Sequence, residues 1–230
     1  MKRKIGIIGG LSPESTVSYY LHITRSYVDR FGDSSYPEIL IYSVNLENYH
    51  RWRNDGRWDL ITDDLVKAGL SLEGSGADFC LIATNTMHKV FDEVQNRVGI
   101  PMLHLIETLS DEITKRKVET VGLLGTRFTM GDGFYSRKLS EAGIAVVVPD
   151  PEEQEFVHRI IEEELVVGKL IDSSRKKFLE IIDHLQSRGA EGVVLGCTEI
   201  PLLIKQEDCR IPVFDTAVIH ADAALEAALR

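Results

Sequence analysis

Two short clusters in this chain carry residue types that could do chemistry: Thr84-Asn85-Thr86 and Cys197-Thr198-Glu199. Each follows an apolar run and precedes a stretch that reads as helix. They are also related to each other. GADFCLIATNT from Gly76 aligns with GAEGVVLGCTE from Gly189, so Thr84 falls opposite Cys197, Asn85 opposite Thr198 and Thr86 opposite Glu199. A thiol ionises at about pH 8.5 when unperturbed, and its thiolate is the reactive form. A threonine hydroxyl is a far weaker acid whose neutral form donates a proton or a hydrogen bond. Two such groups facing one carbon suit removal of a proton from one face and delivery to the other. That chemistry requires no metal and no cofactor. The carbanion it creates needs backbone N–H groups and hydroxyls, which a strand-to-helix junction supplies, and the same groups could hold a carboxylate. Glu199 either tunes or deprotonates Cys197, or simply favours the first turn of a helix.

The elements that must position these clusters alternate along the chain. Ile5–Ile8, Ile39–Tyr42, Phe79–Ile82 and Met102–Leu105 read as strands, and so do Val121–Leu124, Ala145–Val148, Val193–Leu195 and Val213-Phe214. Ser12-Pro13 opens a helix as cap and first residue. Further helices are expected over Asp59–Leu72, Val90–Val98, the segment through Ile113, Phe134–Ala142, Glu152–Val167, Ser173–Ser187 and Thr216–Leu229. Continuous apolar strands between helices predict parallel sheets covered on both faces, an α/β fold.

The repeat extends beyond the two clusters. KIGIIGG at Lys4 matches TVGLLGT at Thr120, and IPMLH at Ile100 matches IPVFD at Ile211, in the same order. The expectation is two similar lobes, 1–117 and 118–230, related by a pseudo-two-fold, with room for the chain to cross between them near the C-terminus. Ligands bind at the carboxyl ends of such strands, so the active site is expected in the cleft between lobes.

Composition excludes several classes. The net charge of −10 disfavours nucleic acid as a main partner, because phosphate binding needs a basic face. No apolar run approaches a membrane span, and MKRKIGIIGG is too short and too interrupted for a signal segment. Cys80, Cys197 and Cys209 form no metal or CxxC spacing and read as reduced thiols of a cytoplasmic protein. Gly6, Gly9 and Gly10 do not make G-x-G-x-x-G. They instead let backbone approach a small ligand, with Leu11 and Ser12 at the mouth. His88, one turn after Thr84, is either an activator of Thr84 or a packed, capping residue. His104 and His220 read as structural, Cys80 as core and Cys209 as incidental.

With GIIGGLSPEST, Thr84-Asn85-Thr86, LLGT at Leu123, GCTE at Gly196 and IPVFDT at Ile211, the sequence resembles the aspartate/glutamate racemase family over essentially its whole length. NTMHK and FDTAVIHA look most like the bacterial broad-specificity amino-acid racemase subgroup. The resemblance implies cofactor-independent racemisation of an amino acid, aspartate, glutamate or a broader set, by a homodimer. Family members usually carry a thiol on each lobe; here Cys197 matches and Thr84 stands in the other position. It further implies that Leu11, Asn85, Thr86, Thr198, Glu199 and one of Arg51 and Arg53, here Arg53, hold substrate. Some relatives place a lysine where this chain has Val166 and Val167, which leaves an acidic side-chain preference open. A related decarboxylase or isomerase using one thiol, or an inactive amino-acid-binding homologue, are the alternative readings.

Overall fold

The computed structural model describes residues 2–230, and the chain divides into two compact units. The first begins with β1 (Ile5–Gly9), α1 (Pro13–Phe31), β2 (Ile39–Ser43), α2 (Leu46–Asn54), α3 (Trp58–Gly74) and β3 (Phe79–Ile82). A 3-10 turn over Thr86–Val90 leads into α4 (Phe91–Gln95) and β4 (Met102–Leu103). Helix α5 (Leu105–Lys115) starts the passage into the second unit, followed by β5 (Thr120–Gly125), α6 (Arg127–Gly131), α7 (Phe134–Glu141) and β6 (Ala145–Val147). Then come α8 (Pro151–Glu163), α9 (Asp172–Ser187), β7 (Gly192–Gly196), α10 (Ile200–Leu203) and β8 (Val213–Asp215), with further 3-10 turns over Leu165–Val167 and Gln206–Asp208. Finally α11 (Thr216–Leu229) returns to the first unit.

Both sheets are parallel and have the same order, β2-β1-β3-β4 and β6-β5-β7-β8. The internal repeat therefore has a structural counterpart strand for strand. The boundaries of the units along the chain fall at Leu105/Ile106 and Thr216/Ala217, whereas the repeat in sequence suggests a division at 117/118. The difference has a physical cause: a sequence repeat marks matching strands but not the sheet on which each closing helix packs. Here α5 closes the first repeat yet belongs almost entirely to the second unit, and α11 does the reverse.

Strand burial on both faces is visible in the packing. Along β3, Cys80 and Ile82 join Ile61, Leu65, Ala68 and Leu72 of α3 in one cluster. The alternate residues Phe79 and Leu81 pack with Tyr19, Ile23 and Tyr27 of α1 and with Ala221, Ala224 and Ala228 of α11. In the second unit Leu124, Val193 and Leu195 pack against Val157, Ile161, Phe178, Ile182 and Leu185 of α8 and α9.

Helix α1 starts as its sequence dictates: the Ser12 hydroxyl accepts from Ser15 N at 3.2 Å and Pro13 occupies the first turn. Before it the chain must turn sharply at Gly10, whose φ is +80°. A Cβ there would lie 2.5 Å from the Val44 carbonyl oxygen, so only glycine fits.

Candidate active site

The first cluster sits just past β3. Ile82 pairs with Ile8 of β1, Ala83 N donates to Ile8 O at 3.0 Å, and Thr84 N turns back to Ile82 O at 2.9 Å. Thr84 is partly buried, while Asn85 and Thr86 are buried. From the neighbouring α1, the Ser15 hydroxyl donates to Ala83 O at 3.1 Å, which fixes this strand end against the GGLS turn. Leu11, expected at the mouth, is 8% exposed and packs in the apolar cluster with Ile8, Ile82 and Met87.

His88 meets the Thr84 backbone. Its Nδ1 lies 2.8 Å from the Thr84 backbone oxygen, and Leu105 N donates to its Nε2 at 3.1 Å. An amide N–H can only donate and a carbonyl can only accept. His88 is therefore neutral, with its proton on Nδ1. Burial, reinforced by His104, pushes its pKa down to about 3. A base that weak does not activate a hydroxyl.

The segment carrying Arg51 and Arg53 is helical: it is α2, capped by the Asn45 side chain, which accepts from Glu47 N at 3.1 Å. Arg51 is exposed and bonds Asn48 at 3.2 Å, whereas Arg53 is partly buried. Two residues beyond the last residue of β2, the Asn45 cap starts this helix, although LENYHRWRN is polar on most sides.

The second cluster sits just past β7. The Cys197 thiol donates to Glu199 Oε2 at 3.0 Å, and the Thr198 hydroxyl donates to that same oxygen at 3.0 Å. Glu199 is 6% exposed, and Cys197 and Thr198 are partly buried. Burial first, then the charge of Glu199, push the Cys197 thiol well above its ordinary pKa. A free thiolate is thus disfavoured, and a carboxylate that can take the thiol proton lies in contact with it. Thr216 at the head of α11 donates to Leu195 O at 2.9 Å and steadies the strand end.

Both clusters precede only short helical pieces, the five-residue 3-10 turn from Thr86 and the four-residue α10. The expected helix dipole is correspondingly small, and stabilisation of negative charge falls to individual N–H and O–H groups. Val166 packs against the second unit's core and Val167 is exposed. Cys80 is fully buried, its thiol pushed up to about 12 by burial. Among the described residues, Asp150, Glu153 and His184 bring possible metal-ligating atoms within 4.8 Å of one another. The first two form the capping box of α8, and Asp150 also pairs with Arg188, which accounts for the cluster without an ion.

Residues 8–224 match the family model described as Asp/Glu/hydantoin racemase. The chain is 43% identical to an aspartate racemase homologue from Pyrococcus horikoshii OT3, covering all of both chains at a TM-score of 0.88. It is 26% identical to the aspartate racemase of Picrophilus torridus, covering 98% of this chain and 94% of that one, with a TM-score of 0.78. It is also 25% identical to the broad-specificity amino-acid racemase RacX of Bacillus subtilis (strain 168), over 96% of each chain.

Proposed function

The chain belongs to the Asp/Glu/hydantoin racemase family, and we propose that it inverts the α-carbon of aspartate, glutamate or a broader set of amino acids using Cys197 and Thr84. No cofactor enters the steps. Glu199 takes the Cys197 proton, and the resulting thiolate removes the α-hydrogen from one face of the substrate. The carbanion takes a proton on the other face from the Thr84 hydroxyl; Glu199 then gives its proton to solvent, and solvent restores the proton that Thr84 has given up. In the opposite direction the roles reverse, and Thr84 must act as the base. Asn85, Thr86 and Thr198 hold the substrate through hydrogen bonds, Leu11 borders it and Arg53 meets its carboxylate. The reading extends to a homodimer in the cytoplasm, on the strength of the family resemblance. Among the described residues no helix is long and apolar enough to cross a membrane.

The observation that carries this reading is the contact of the Cys197 thiol with Glu199 Oε2 at 3.0 Å, a base already in place for a thiol that burial keeps protonated. The test is incubation with each enantiomer of aspartate, glutamate and other amino acids in heavy water, followed by chiral separation and proton NMR. Deuterium entering the α-position together with inversion is expected, and Cys197→Ser should abolish both. Carbon dioxide released from a substituted malonate without α-exchange would replace the racemase reading by a decarboxylase. Tight amino-acid binding without exchange would replace it by a binding protein.

A further inference from the structure

We infer that His88 is a positioning residue, a neutral strut that holds the Thr84 peptide and so aims the Thr84 hydroxyl at the substrate. The inference rests on the racemase reading above and adds to it a residue that touches neither substrate nor proton.

The geometry is specific. The His88 ring spans two backbone groups, the Thr84 carbonyl at 2.8 Å and the Leu105 amide at 3.1 Å. Its donor and acceptor sides are both occupied, so ring rotation would break both bonds at once. Thr84 is the residue where β3 turns away, and Leu105 is the residue where the chain leaves the first unit. Without the imidazole, the peptide following Thr84 loses the ring nitrogen that fixes the direction of its carbonyl.

The surroundings hold the strut itself. Phe91 stacks on the ring at 5.3 Å with planes 9° apart, and the His104 ring lies 4.9 Å away. His220 stands edge-on at 6.0 Å and is fixed in turn: the Tyr19 hydroxyl is 2.9 Å from its Nδ1, and its Nε2 is 3.0 Å from the Leu103 carbonyl. Because a carbonyl only accepts, His220 carries its proton on Nε2 and receives the Tyr19 hydroxyl on Nδ1. Leu103 and Leu105, two residues apart, are therefore each tied to an imidazole. A ring packed this way restrains the Thr84 peptide, and misplacement of about 1 Å costs on the order of 100-fold in rate.

Three variants and two readouts test this. His88→Asn keeps a donor near Nδ1 for the Thr84 carbonyl; His88→Gln keeps an acceptor near Nε2 for Leu105; His88→Leu keeps neither. The readouts are inversion and wash-in of solvent deuterium with retention of configuration. Wash-in into the enantiomer whose hydrogen Cys197 removes needs Cys197 and Glu199 but not Thr84, whereas inversion also needs Thr84. The Leu and Gln variants should lose about 100-fold in inversion while keeping wash-in within a few-fold, and the Asn variant should recover most of the inversion rate. An inversion-to-wash-in ratio equal to wild type in all three variants overturns the inference, and so does a parallel loss of both readouts in folded protein. Should the wild-type enzyme exchange no amino acid at all, the racemase reading fails first, and the role of His88 falls with it.

Discussion

The thiol of Cys197 donates to Glu199 Oε2 at 3.0 Å, and the Thr198 hydroxyl competes for the same oxygen at the same distance. Glu199 therefore acts on the thiol in two opposed ways. Its charge makes the thiolate less stable, while its oxygen is the nearest place for the thiol proton to go.

These two effects separate in Glu199→Gln. Removing the charge takes away the second cause of the raised thiol pKa, so Cys197 should ionise at lower pH than in wild type, as read by thiolate absorbance. If Glu199 is the proton acceptor, inversion should nevertheless fall by about 10²–10⁴-fold at neutral pH, the usual worth of a positioned acid or base. An unchanged rate would reduce Glu199 to the residue that opens α10.

Thr84 makes the two directions chemically unequal. A carbanion is a strong enough base to take a proton from a hydroxyl, but an alkoxide is scarce as a base for the return. The equilibrium constant of racemisation is one, so kcat/KM must agree for the two enantiomers. The asymmetry is expected in kcat and KM separately, with the enantiomer deprotonated by Cys197 turned over faster. Thr84→Cys should bring the two kcat values together. Progress curves from each pure enantiomer measure this, and equal kcat values in the wild-type enzyme would contradict it.

Gly10 offers a structural check on the same strand end. Gly10→Ala would put a Cβ 2.5 Å from the Val44 carbonyl at a φ of +80°, so the β1–α1 turn must shift. Strain of this kind costs about 1–3 kcal/mol, readable as a lower urea midpoint. Gly32→Ala, at φ +75° with open space around it, should cost less.

Much of this architecture was legible in the sequence, for a physical reason. Strands buried on both faces must be continuously apolar, so Ile5–Ile8, Phe79–Ile82 and Val193–Leu195 stand out, and two copies of the pattern predict two sheets of the same order. The local conformation after each strand was less legible. Thr86–Val90 is a 3-10 turn and α4 is only five residues long, where apolar spacing suggested a helix over Val90–Val98. Helix α2 was hidden by its polar surface and α6 by its brevity. A crossing of the chain near the C-terminus was allowed for, but which helices change units was not legible, because an alanine-rich helix such as α11 fits either sheet equally well by composition. His88 was visible only as a histidine four residues after Thr84; that its ring meets a backbone carbonyl rather than the hydroxyl depends on where Leu105 lies, which no local pattern encodes.

The buried histidines make a last prediction, about pH and stability. Burial first, then a neighbouring imidazole, push His88 and His220 down to about 3, against an unfolded value near 6.5. The sign follows from proton counting. Between pH 6.5 and about 3 the unfolded chain binds protons that these folded rings refuse, so unfolding becomes easier as pH falls and the full stability is present only above 6.5. Each ring contributes a slope of about 1.4 kcal/mol per pH unit inside that window. The absolute curve sums every ionisable group of the chain. A comparison removes them. His220→Gln keeps hydrogen-bonding capacity toward Tyr19 or Leu103 but cannot be protonated, so its unfolding free energy should fall with decreasing pH less steeply than wild type by about one proton. Denaturant titrations at half-unit steps from pH 7 to 4 measure the two slopes, and parallel curves would mean that His220 is protonated in the folded protein.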